Sequence, residues 1–379
     1  MRKHIPALVL IAILMGGCAG TVETPCPIPP PPVLRQPEPV HLPKDLPTVC
    51  TGGEVMLDAD TDGVRFEGCS VRVKRSGIHI TGSEFVRSRV FLEAVSDVLL
   101  ADNVIHDYPV HEQAAVVIGD SQDIVLRHNH IHDNAVGVAV GGSHGIQIEE
   151  NVFESNYQHN ALAIYRSSAQ VSGNLFRYNY PHGILVHFVA EHGETAISIH
   201  HNLFLMNVED AINFEDWAGA NEQSSISHNV ISGTNWAAIN VEYNSWGANI
   251  LIDGNHISGS GHPIEEFPPS PLGPSVWGEG WRHGIKLEDC SGVSVRGNVI
   301  VDSRENGIDV RNCRDVTLQG NTVTGNEIGL SIGGPRQESF TRDVSPLSEE
   351  NAGPSAVVCE DNCFFENQEN VREATEGVD

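Results

Sequence analysis

Apolar and polar residues alternate along this chain in short phrases that return at a nearly constant interval. Gly137-Val-Ala-Val, Ala161-Leu-Ala-Ile, Gly183-Ile-Leu-Val, Ala211-Ile-Asn-Phe, Ala238-Ile-Asn-Val, Gly284-Ile-Lys-Leu, Gly307-Ile-Asp-Val and Gly329-Leu-Ser-Ile all have period two. That period sends one side of a strand into a core and the other outward. An Asn-x-(Ile/Phe/Val) anchor comes before the phrases, at Asn103, Asn129, Asn151, Asn174, Asn202, Asn229, Asn255, Asn298, Asn321 and Asn362. Most anchor steps are 22 to 28 residues, with two of 43 and 41. From Asn174, Asn202, Asn229 and Asn298 the first inward residue of the phrase is ten positions on. Strands of three to five residues cannot each bury a face alone. Stacked as coils at about 4.8 Å per rung, they share one interior. The pattern predicts an all-β solenoid of about a dozen coils, a rod roughly 55 to 60 Å long.

These anchors and Gly-Ile-x-Val phrases resemble right-handed parallel β-helix repeat proteins of the pectate-lyase-like superfamily, over residues 49–366. The resemblance implies the fold, not one activity, since that fold hosts lyases, hydrolases, epimerases and non-enzymes. The anchor asparagines have a structural explanation as amides stacked inside a coil bend. Two insertions interrupt the period, about 262–282 and 335–355, and an acidic tail, 367–379, follows the last rung.

Charge and the N-terminus refine this picture. With 22 Lys and Arg against 50 Asp and Glu, a net charge of -28, the chain lacks the basic surface a nucleic-acid partner needs. Arg2 and Lys3, an apolar run from Ile5 to Met15, and Gly16-Gly17-Cys18 resemble a bacterial lipoprotein signal over 1–17. The resemblance implies acylation of Cys18 and a place in the bacterial cell envelope, at the outer membrane or a periplasmic face. Residues 18–48 hold ten prolines and read as a stiff polyproline tether of at most roughly 90 Å, standing a monomeric solenoid off the membrane. Among the remaining cysteines, Cys290 and Cys313 occupy matching phrases on adjacent coils, as a bridge or as a stacked thiol pair. Cys50 with Cys69 and Cys359 with Cys363 are the other expected disulfides, leaving Cys26 unpaired.

The outward positions of the phrases form columns. One column reads Tyr165, His187, Glu215, Glu242, Glu288, Arg311; the one beside it reads Asn213, Asn240, Lys286, Asp309, while both ends of each are small or apolar. Arg166, Asp216 and Tyr243 edge the first column, and Trp217, Trp246, Trp277 and Trp281 sit on lengthened turns beside it. Indole faces next to a polar strip suit a polysaccharide partner, stacking on sugar rings while polar groups hold hydroxyls. Asn213, Glu215, Asp216, Asn240 and Glu242 offer oxygen ligands for Ca²⁺. By likeness in role to calcium-assisted lyases of the superfamily, Lys286 would take the α-proton of a uronate, with Arg311 or His187 assisting the leaving oxygen. Competing readings are glycosidic hydrolysis by Glu215, Asp216 and Glu242, ion pairs of Lys286 with Asp309 and of Glu288 with Arg311, and a binding or structural protein without turnover.

Overall fold

A computed structural model of the chain describes residues 26–187, 196–215, 223–243, 249–267, 281–333 and 357–373. Cys18, Asp216, Trp217, Trp246, Trp277 and most of both insertions fall outside the described residues. Within them the only helical element is one 3-10 turn, Ile264–Glu266; every other element is a strand, and every strand pairing is parallel.

Three ladders run the length of the solenoid. Two merge at the strand Arg65–Val73 into a 24-stranded sheet, and a 12-stranded sheet forms the third face. Phe66, Phe153, Phe176, Phe204, Ile212 and Leu287 point into one continuous core. The rings of Phe153, Phe176 and Phe204 stack rung on rung at 4.6 and 4.9 Å.

The anchors form a second spine. Each asparagine donates from Nδ2 to the Oδ1 of the anchor in the next coil, from Asn103 to Asn362, at 2.8 to 3.1 Å. The residue before each anchor has φ between 52° and 66°, from Asp102 through His128, His201 and His228 to Asp361. The chain therefore bends left-handed there, and the side chain of the next residue turns inward. A shorter amide ladder, Asn134, Asn156, Asn179 and Asn207, lines the following bend. Both ladders satisfy backbone N–H and C=O groups that the bends would otherwise bury without partners.

Other expectations change. Cys50 and Cys69 form a disulfide. Cys363 pairs with Cys26, 337 residues away, and not with Cys359, which is itself disulfide-bonded; Cys26 is thus not the unpaired cysteine. Cys290 and Cys313 are free, buried thiols, Sγ to Sγ 2.9 Å, rather than a bridge. The strand Glu369–Glu373 pairs with Ile328–Ile332, so the solenoid continues past residue 366 into the segment read as a tail.

Candidate functional site

The registered strands Asn160–Tyr165, His182–His187, Ile212–Glu215, Ile239–Glu242, Ile285–Glu288 and Asn306–Arg311 carry the candidate site on one ladder. Tyr165, His187, Glu215, Glu242, Glu288 and Arg311 are successive lateral partners, and Asn213, Asn240, Lys286 and Asp309 are partners in the neighbouring column. Arg166 and Tyr243 each follow the end of a site strand in a left-handed bend.

Side-chain geometry departs from simple lateral pairing. Lys286, 1% exposed, donates to Glu242 Oε2 at 3.2 Å and meets Glu288 Oε2 at 2.6 Å; Arg311 Nε meets Asp309 Oδ2 at 2.6 Å. Neither expected pair, Lys286 with Asp309 or Glu288 with Arg311, is the one formed. Lys286 reaches diagonally to Glu242 on the preceding rung, and both cations pair within their own strands, Lys286 with Glu288 and Arg311 with Asp309, where the nearest opposite charge compensates their burial. Burial opposes the charge on Lys286, but Glu242 and Glu288 outweigh it and hold the ammonium above the ordinary lysine range. A base must be neutral to accept a proton, so this lysine is not poised to abstract one. His187 also lies three rungs, about 14 Å, from Lys286, so the two cannot serve one bond.

The other half of the strip is arranged differently. His187 Nδ1 lies 3.6 Å from Glu215 Oε2, beyond hydrogen-bond length but close enough to orient the ring electrostatically. The Tyr165 ring meets the imidazole edge-on, centroids 6.0 Å apart, and burial together with Glu215 pushes its phenol pKa up, keeping it protonated. All three side chains retain access to solvent.

A third outward column adds His182, Asp210 and His283, with Glu209 beside Asp210; the sequence reading passed over these residues. They stand immediately before the Gly or Ala that opens a phrase, as in His182-Gly183, Asp210-Ala211 and His283-Gly284, and this placement is the signal that reveals them. Asp210 accepts from Ala237 N at 3.0 Å and from Asn240 Nδ2 at 3.2 Å. Burial, then Glu242, push its pKa up to about 8. Burial, then Asp210 and Glu242, push Glu209 well above the carboxylate range. Burial lowers His182 to about 4 and drives His283 well below its usual value. The column therefore holds neutral acids and neutral imidazoles beneath the charged strip.

Trp281 packs over both cations, with Lys286 Nζ 5.2 Å and the Arg311 guanidinium carbon 4.8 Å from its ring centre. The described part of the expected calcium set does not form a cage. Glu242 is already compensated by Lys286 and accepts from Asn213 Nδ2 at 3.5 Å, while the Nδ2 of Asn240 is committed to Asp210. Two buried amide oxygens, Asn213 Oδ1 and Asn240 Oδ1, have no hydrogen-bond partner, and Ca²⁺ requires six to eight oxygens. Among the described residues no group of three His, Cys, Asp or Glu side chains is placed to hold a metal ion.

Stacked parallel rungs, a continuous core and amide ladders define a right-handed parallel β-helix protein. The family described as right handed beta helix region matches residues 50–219, and the family described as periplasmic copper-binding protein (NosD) matches residues 217–378; each covers a little under half of the chain. Among solved structures, a mannuronic acid specific polysaccharide family 6 lyase from human gut microbiota is similar with a TM-score of 0.55 at 13% identity, over 86% of this chain and 76% of that one. A double mutant of the periplasmic alginate epimerase AlgG gives 0.48 at 13%, over 85% and 77%. The catalytic unit of a GH87 alpha-1,3-glucanase from Streptomyces thermodiastaticus gives 0.47 at 12%; this chain is covered to 84% but spans only 63% of that one. At these identities the likeness is one of fold. No curated protein matches the sequence.

Proposed function

We propose that this is a cell-envelope protein that acts on a polysaccharide lying along the outward strip. The observation that carries the reading is the Tyr165, His187, Glu215 constellation on three consecutive rungs. With Nδ1 of His187 turned toward the Glu215 carboxylate, Nε2 is the basic nitrogen. In β-elimination, Nε2 takes the proton α to a uronate carboxyl, the C–H electrons form the new double bond, and the glycosidic oxygen leaves with the Tyr165 phenol proton. Lys286 has no part in proton transfer; it holds Glu242 and Glu288 in place. The polysaccharide lyase and epimerase among the similar folds agree with this class of substrate.

Hydrolysis is the second reading, favoured by the register of Glu215 against Glu242. Side chains opposite one another in adjacent rungs sit about 5 Å apart, the carboxyl separation of retaining glycosidases. Incubation with polyuronates and with neutral glucans separates the readings. An ultraviolet-absorbing unsaturated product supports elimination. New reducing ends without that absorbance support hydrolysis, and binding with neither product makes the strip a recognition surface. EDTA separates a calcium-assisted elimination, which it abolishes, from one carried by His187 and Tyr165 alone, which it leaves unchanged.

A further inference from the structure

From residue 178 to residue 281 the sequence contains no Lys or Arg and twelve Asp and Glu. The rungs that carry His187, Glu215 and Glu242 fall inside this stretch. In the columns of the site strands only Lys286 and Arg311 are cationic, and both stand on the two rungs that follow. Each already pairs with acids, Lys286 with Glu242 and Glu288 and Arg311 with Asp309. A polymer with a carboxylate on every sugar would lay like charge against this strip, and like charges repel. A uronate chain suited to it brings positive charge of its own.

Hydrogen bonding points the same way. Asn213 and Asn240, each 3% exposed, are lateral partners on adjacent rungs. Their amide nitrogens turn toward acids, Asn213 Nδ2 to Glu242 Oε1 at 3.5 Å and Asn240 Nδ2 to Asp210 Oδ2 at 3.2 Å. Each Oδ1, the acceptor of the planar group, is thereby held on the other side. Neither oxygen has a hydrogen-bond partner, and neither has Oε1 of the buried Glu209, in the same coil as Asn213. Buried acceptors are almost always paired, so idle ones on two adjacent rungs call for a ligand that donates. Charge selects which donor: burial, then neighbouring carboxylates, raise the pKa values of Glu209 and Asp210, and a bound cation would relieve that repulsion. Oxygens on adjacent rungs, about 5 Å apart, can both lie about 2.9 Å from one nitrogen placed between them.

We infer that the Glu215 and Glu242 rungs bind a hexosamine with a free amine, its ammonium donating to Asn213 Oδ1 and Asn240 Oδ1 with Glu209 beside them, so that the substrate is a copolymer of uronate and free-amine hexosamine. The inference rests on the polysaccharide reading above and deepens it. His187 stands one rung from Asn213 and two from Asn240, about 5 and 10 Å, so the amine belongs to a sugar beside the uronate that His187 deprotonates. An N-acetyl group in its place keeps one N–H, loses the charge and adds a methyl that the acceptors cannot hold. The site therefore discriminates against acetylation.

The test uses the full-length protein and one probe in two forms, an alternating glucuronate–glucosamine oligosaccharide with free amines and the same oligosaccharide N-acetylated. Calorimetry near about pH 6, where the amines are charged, is expected to show the free-amine form bound about tenfold or more tightly, the contribution of one charge-assisted hydrogen bond. Asn213→Leu removes the oxygen without changing the net charge and should bring the two forms within about threefold of each other. Asn213→Asp keeps an acceptor at the same place and should retain the preference. Asn240→Leu carries the same expectation as Asn213→Leu and replaces it if that variant does not fold. Equal binding of the two forms by the unsubstituted protein overturns the inference. So does a preference that survives both leucine variants, which would be general attraction of amines to an acidic protein. If a plain polyuronate is cleaved and amines are not preferred, the inference fails while the polysaccharide reading stands. If neither form of the probe nor any polyuronate binds, both fail.

Discussion

Lys286 and Glu242 are 44 residues apart in the chain, yet Nζ of one donates to Oε2 of the other at 3.2 Å because their strands are adjacent rungs. With Glu288 at 2.6 Å on the other side, the lysine is a buried counter-charge for two carboxylates. Replacing it removes that counter-charge, and breaking such a group by removing one member costs about 3–5 kcal/mol. Lys286→Met is therefore expected to lower the urea midpoint at neutral pH by that equivalent, and adding Glu242→Gln with Glu288→Gln to restore most of it. In the unsubstituted protein the pair's contribution is complete below the unfolded lysine pKa of about 10.4 and is lost as pH rises through the higher folded value. Alkaline unfolding curves check the sign; an unchanged midpoint in Lys286→Met rejects the counter-charge role.

Asp210 gives a second pH dependence with the opposite chemistry. Its folded pKa of about 8 lies above the unfolded value of about 3.9, so its contribution is complete in acid and declines as pH rises between these values. His182, lowered to about 4, works the other way: its contribution is present above about 6.5 and declines as pH falls toward the folded value. Asp210→Asn isolates the first effect, since an amide cannot ionise and the idle Oδ1 of Asn240 can turn to accept from it. Relative to the unsubstituted chain, Asp210→Asn should gain stability steadily from about pH 4 to about pH 8 and level off above it. A constant difference across that range counts against a buried neutral acid.

Much of this architecture is legible in the sequence because lateral neighbours in a solenoid are fixed by the repeat. The steps between Asn103 and Asn362 give the rungs, and the ten-residue offset gives the register that sets Glu215 beside Glu242. Rotamers are not periodic, however, and the columns alone suggest Lys286 with Asp309, where the reach to Glu242 across the rungs and to Glu288 along its own strand prevails. The Asn134 to Asn207 ladder has no such signature, because its residues are not followed by a constant apolar phrase. His182, Asp210 and His283 stand before the opening Gly or Ala, outside the period-two phrase that defines the outward columns. The pairing of Cys26 has no local signal, because its partner Cys363 lies 337 residues on.

His187 and Tyr165 provide the most direct test of chemistry. Loss of a positioned general base or acid costs typically 10²- to 10⁴-fold in rate. His187→Ala and Tyr165→Phe should each reduce turnover of a polyuronate by about that factor while leaving its dissociation constant, measured calorimetrically, within about twofold. Lys286→Met, assayed where it remains folded, should lose far less. If Lys286→Met alone abolishes turnover and His187→Ala does not, the base has been misassigned.

Asn202 lies mid-way along the amide ladder, fully buried, and bonds to the coils on both sides. Its Oδ1 accepts from the backbone N–H and the Nδ2 of Asn174 at 2.9 Å each, and its own Nδ2 donates to Val171 O at 2.9 Å and to Asn229 Oδ1 at 3.1 Å. Truncation strands donors on one coil and an acceptor on another, at about 1–3 kcal/mol for each buried group left unpaired. Asn202→Ala should therefore cost about 3–5 kcal/mol, more than an exposed substitution such as Gln170→Ala, expected within about 0.5 kcal/mol. Because each coil contacts only its neighbours, the loss should appear in hydrogen exchange as lowered protection around residues 171–204, with the first and last rungs little changed. Uniform loss of protection along the whole rod would instead mean that the ladder acts as one cooperative unit.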